Sequence, residues 1–143
     1  ETGLRDIYAG MAGRFSDNEP YRDFFLALSR DEEAHADQVR YQKRLVRQNP
    51  GDFSHVSIDL EGMEEILAFL RHLMGNPPTG TPEEALRLAM DLESISQERM
   101  YRSVIVESCP GLKPLIDNLT RFDRDHLARI QAFAEKHLSA DNQ

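Results

Sequence analysis

The stretch "SRDEEAHADQV", Ser29 to Val39, decides how this chain is read, because it sets two ionisable residues into an apolar stripe. Phe25, Leu28 and Val39 recur at helical spacing, and Glu32 and His35 fall on the same face. An amphipathic helix keeps its carboxylates and imidazoles on the side facing water. On the apolar side they need a partner inside the core, since an unpaired buried carboxylate is costly and shifts its pKa until it is neutral.

Outward from this stretch, punctuation marks out a long helix. Asn18 can cap its start, Pro20 suits its first turn, and "NPG" at Asn49 to Gly51 ends it near Arg47. Before it, a helix from about Glu1 to Arg14 repeats Leu4, Tyr8 and Met11, and "SDNEP" separates the two. After it, residues Asp52 to Gly80 hold one shorter amphipathic helix, about Leu60 to Met74, followed by "GNPPTG". Thr81 and Pro82 start a third long helix that runs to about Glu107. "CPG" at Cys109 to Gly111 turns the chain into a fourth, Leu112 to Leu138, which tolerates Pro114 in its first turn. No strand pattern occurs. The expected fold is all-α: one domain over residues 1–138, a four-helix bundle with one long crossover containing a short extra helix, then a polar tail at 139–143.

Other helices repeat the anomaly of Glu32 and His35. In the fourth, Ile116, Leu119, Asp123, His126, Ile130 and Phe133 share a face, and Asp123 and His126 are again three apart. The third carries Glu93 among Leu86, Ala89, Met100 and Val104. The first carries Glu1, seven residues before Tyr8. Each long helix can therefore turn a carboxylate inward, and two add a histidine one turn on. Four carboxylates converging in one core would repel strongly. Two divalent cations would bring the site near neutrality. Oxygen-rich sites with open positions favour iron or manganese over a closed structural zinc.

Composition narrows the function classes. The 143 residues are 40% hydrophobic and 29% charged, as expected of one soluble globular domain. A net charge of -8 argues against a sequence-independent grip on nucleic acid. No apolar run reaches membrane-spanning length, and no secretory signal is visible. Cys109 is the single cysteine and has no basic sequence neighbour to activate it, so a reducing, cytoplasmic setting is expected. His55, His72 and His137 are read as ordinary histidines, Met100 as core packing, and the acidic run from Met63 to Phe69 as a solvated face.

The ordered set Glu1 with Tyr8, "EEAH" at Glu32 to His35, "DLES" at Asp91 to Ser94 and "DRDH" at Asp123 to His126 resembles the ferritin-like di-iron carboxylate proteins, most closely their rubrerythrin-like branch. The likeness covers nearly the whole chain in helix count, crossover position and ligand order. It implies two iron ions, with manganese or zinc as substitutes. Glu32 and Asp123 would bridge them, Glu1 and Glu93 would be terminal ligands, His35 and His126 would bind one metal each, and Tyr8 would sit alongside. It further implies a homodimer that reduces hydrogen peroxide or dioxygen with electrons from a separate donor protein. A ferroxidase serving iron storage or delivery, and a metal-free structural or interaction bundle, are the alternatives. The chain departs from the family in four respects. Asp123 stands where glutamate is usual, Ser96 where rubrerythrins carry a further glutamate, the four-cysteine rubredoxin-like domain has no counterpart, and Glu1 is the first residue.

Overall fold

The computed structural model describes residues 2–53, 60–76, 80–94, 107 and 110–138, with their side chains except those of 52, 53, 60, 112, 115, 116 and 118–124. The protein is all-α: α1 spans Thr2–Arg14, α2 Glu19–Gln48, α3 Leu60–Gly75, α4 Pro82–Glu93 and α5 Lys113–Leu138. Short 3-10 turns lie at Pro50–Phe53 and Pro110–Leu112. No strand occurs among the described residues. The expected continuation of the third long helix to Glu107 falls largely on residues 95–106, outside the described residues, as do Glu1, His55, Ser96, Met100, Val104, Cys109 and the tail.

The helix boundaries follow from the punctuation, though not always by the expected means. Pro20 sits in the first turn of α2, where its missing N–H costs nothing. Asn18 holds the N-cap position but its side chain makes no capping bond. At the other end, Asn49 closes α2 twice: its backbone N–H reaches Leu45 and Val46 carbonyls, and its Nδ2 donates to the Leu45 carbonyl at 2.9 Å. α4 has the firmer start. Thr81 Oγ1 accepts from the Glu84 N–H at 3.3 Å, and Glu84 Oε2 accepts from the Thr81 N–H at 2.9 Å. This reciprocal capping box satisfies two otherwise orphaned donors. A Cβ at position 80 would meet the Glu84 carboxylate, so a larger residue there would displace that side chain from the box.

α1 and α2 pack antiparallel. Phe15 at the end of α1 meets Tyr21 near the start of α2, Tyr8 stacks on Phe25, and the Arg5 carbonyl accepts from Ser29 Oγ at 3.0 Å. α5 runs antiparallel to α2 as well, with Phe133 stacked on Phe24 at a centroid distance of 4.0 Å and His126 beside Glu32. α4 packs on α5. The core joins Ile7, Tyr8, Met11 and Ala12 of α1 to Tyr21, Phe25 and Leu28 of α2, Ala85, Leu86, Ala89 and Leu92 of α4, and Ile130 of α5. Burying such side chains contributes roughly 1.5–3 kcal/mol each for the larger ones.

One sequence expectation changes here. The crossover helix lies on α1: a Cβ added at Gly3 would make ordinary contact with Leu70 Cδ1 at 3.5 Å, and Leu70 and Leu73 pack half-buried against the core. Val39, read as part of the apolar stripe of α2, is 38% exposed. His72 is exposed, and the His137 ring packs on Phe133 at 4.3 Å and on Tyr21.

Candidate metal centre

Glu32 and His35 project from α2 into the core because they continue the spacing set by Phe25 and Leu28. Glu32 is 1% exposed and His35 4%. From α5, His126 arrives at 2% exposure, one turn before the fully buried Ile130. The three offer ligand atoms that all lie within 4.8 Å of one another and could hold a metal ion. Glu32 Oε1 is the hub, 3.1 Å from His126 Nδ1 and 3.7 Å from His35 Nδ1. The two imidazoles face each other with centroids 4.8 Å apart.

Glu93 joins from the end of α4. Its Oε1 lies 3.7 Å from His126 Nδ1 and accepts a 2.7 Å hydrogen bond from the Tyr8 hydroxyl. Tyr8 is fully buried and held by the ring of Phe25. A buried tyrosine needs a partner for its hydroxyl, and here that partner is a candidate ligand. Tyr8 thus fixes one carboxylate oxygen from a rigid position in the core.

The electrostatics centre on His126. Burial lowers the pKa of its imidazole, but the carboxylates of Glu32 and Glu93 raise it by more, to about 9. Its Nδ1 lies close to both carboxylates yet makes no hydrogen bond with proper geometry, so the attraction there is one of charge. Its Nε2 faces outward, 3.3 Å from Asp31 Oδ2, and the same oxygen accepts from Arg129 Nη1 at 2.5 Å. Asp31 and Arg129 are half-exposed. An imidazole with one nitrogen toward converging carboxylates and the other held by a carboxylate is the arrangement that orients metal-binding histidines.

The structure therefore brings Glu32, His35, Glu93, His126 and Tyr8 together. Asp123 lies on α5 one turn before His126, with its side chain outside the described residues, and Glu1 lies outside them altogether. Sequence reasoning missed Asp31 and Arg129. Asp31 directly precedes Glu32 and so points about 100° away from it around the helix, off the stripe that was searched. The available signal was the Asp31–Glu32 pair itself, one carboxylate facing inward and the next at the rim, where it can reach a neighbouring helix. The donor set, two imidazoles and the Glu32 carboxylate with Glu93 nearby, and a buried imidazole nitrogen free of any hydrogen bond, suits a divalent cation. Comparison with protein-family models, with curated proteins and with solved structures returned no match.

Proposed function

We propose that this chain is a ferritin-like four-helix bundle of the rubrerythrin-like kind, which binds a pair of iron or manganese ions and reduces peroxide or dioxygen. The observation that carries the reading is the convergence of Glu32, His35 and His126, all buried, with ligand atoms within 4.8 Å of one another. Glu32, whose Oε1 lies between the two histidines, would hold the metals together with them. Glu93, anchored by Tyr8, takes a terminal position, and Glu1 and Asp123 complete the proposed ligand set. When bound, the two metals supply Lewis acidity and electrons.

The chain's own residues do the rest. Phe25, Leu28, Leu86 and Ile130 exclude water from around the ligands and raise the strength of every charge interaction there. Asp31 holds the outer nitrogen of His126 and so directs the inner one toward the carboxylates. His126 must give up the proton on its inner Nδ1 before that nitrogen can act as a ligand, while the outer Nε2 keeps its own beside Asp31.

One observation favours a metal-free reading. With His126 cationic between Glu32 and Glu93, the core charge is partly neutralised by the protein alone. Metal content per chain, after anaerobic loading with Fe(II) and desalting, separates the two. Close to two irons, followed by peroxide-dependent oxidation of the loaded iron, is the expected result. No bound iron overturns the redox reading and leaves the protonated network as the purpose of these residues. One iron restricts the site to the Glu32, His35, Glu93 and His126 group.

A further inference from the structure

One register of α2 runs the length of the helix and changes character at the metal centre. Tyr21, Leu28, His35, Gln42 and Asn49 follow one another at heptad spacing. Each lies within about 20° of the last around the axis and about 10.5 Å further along it. The first four are buried and Asn49, at the end of the helix, is exposed. Towards the start of α2 the line is closed: Leu28 is fully buried, and Tyr21 packs against the rings of Phe15, Phe133 and His137. Towards the end it is polar, with the half-buried Gln38 between His35 and Gln42 on the same side.

Gln42 is the anomaly on this polar side. Glutamine is mostly an exposed residue, yet Gln42 is 8% exposed, and its Nε2 makes no hydrogen bond among the described residues. Leaving a buried amide donor without an acceptor is unfavourable, and an apolar side chain at this position would avoid the cost. Folded proteins satisfy such donors with small polar molecules, most often water, when their own atoms do not. An amide is polar without being charged. It offers hydrogen bonds at every pH and neither attracts a metal cation by charge nor repels a neutral molecule.

We infer that Gln42 lines the route by which water and peroxide reach the metal centre, entering at the Asn49 end of α2 and passing Gln42 to His35. Its Nε2 donates to an oxygen of the passing molecule and replaces one of the hydrogen bonds that molecule leaves behind in bulk water. The other ways in are less open. The aromatic rings fill the start of α2, and the rim beside His126 is held by the Asp31–Arg129 ion pair, whose charges would have to part to admit a molecule. The inference rests on the metal-centre reading for what lies at the inner end of the route; the hydration of Gln42 does not.

Gln42→Leu tests it, because leucine fills the position and removes the donor. In the iron-loaded, oxidised chain, azide binding followed by stopped-flow absorbance should show association and dissociation rate constants that fall together. The expected factor is about five- to tenfold, the scale of one hydrogen bond lost from the barrier to entry. The dissociation constant and the iron content should stay as in the parent, which separates a route from a change in the site. Gln42→Asn, which keeps an amide, should bind azide faster than Gln42→Leu. In the metal-free parent chain, the Gln42 side-chain amide should exchange magnetisation with water by nuclear magnetic resonance. Unchanged rate constants in Gln42→Leu, a shifted azide dissociation constant, equal rates in the two variants, or a Gln42 amide without water contact overturns the inference. No bound iron together with a hydrated Gln42 overturns the metal reading alone.

Discussion

The two halves of α2 repeat the same spacing and meet opposite surroundings. In the first half, Phe25, Leu28, Glu32 and His35 are all at most 4% exposed. One heptad beyond Glu32 stands Val39, which is 38% exposed, and one heptad beyond His35 stands Gln42, at 8%. An apolar residue thus lies in the open while a carboxylate at the equivalent position lies in the core. The difference comes from the neighbours. α1 covers the first half, tied by the Ser29–Arg5 bond, and α5 brings His126 and Arg129 against Asp31 and Glu32. Periodicity chooses the face of a helix; the packing of other helices decides how much of that face is covered.

The strongest way to break this comparison is to exchange what the two halves are asked to do. Glu32→Ala with His35→Ala should abolish stoichiometric metal binding, whereas Val39→Ala with Gln42→Ala, one heptad away, should retain it; elemental analysis after Fe(II) loading checks both. Loss of metal in the second variant would show that the halves are not functionally distinct. Glu65→Ala with His72→Ala on α3 should likewise retain the metal. Stability should divide the same way. Leu28→Ala, at a fully buried position, should cost about 2–5 kcal/mol in denaturant unfolding. Val39→Ala should lie within about 0.5 kcal/mol of the parent.

The pH response sharpens the comparison, because the first half of α2 faces the chain's raised imidazole. The folded pKa of His126 is about 9, against 6.5 when unfolded. A raised pKa contributes stability that is fully present below the unfolded value and is lost as pH rises through the folded one. The metal-free protein should therefore lose stability between about pH 6.5 and 9, on the order of 3 kcal/mol. Metal affinity should rise over the same interval, since the proton competes for the ligand. A melting temperature flat across that window would contradict the charge assignment. A smaller effect than the Leu28 truncation is expected of Tyr8→Phe, which keeps the ring against Phe25 and removes the donor to Glu93. It should cost about 1–3 kcal/mol, the scale for a buried acceptor left without its bond.

Much of the helical layout was legible because its signals are local. Pro20, "NPG", Thr81 with Pro82, and Pro114 each act within one turn, and both ends of α2 and the starts of α4 and α5 fall within a residue or two of where these place them. Glu32, His35, Glu93 and His126 were legible for a second reason: a charged residue in an apolar stripe violates a pattern that is otherwise regular. What escaped depends on pairs distant in sequence. The Asp31–Arg129 bond joins residues 98 apart, and nothing in either neighbourhood marks it. The exposure of Val39 likewise depends on where other helices lie, and Asn18 was a cap by residue type without the bond that makes one.

The capping box at Thr81 and Glu84 has a consequence for how the chain tolerates changes in length. It fixes where α4 begins, and from that point each residue turns about 100° and rises about 1.5 Å. Glu93 reaches Tyr8 and His126 only at that count. One residue inserted between the cap and position 93 would bring Leu92 to the place of Glu93, and one removed would bring Ser94; neither carries a carboxylate. The interval from Thr81 to Glu93 should therefore accept many substitutions on its outer face but no change in length.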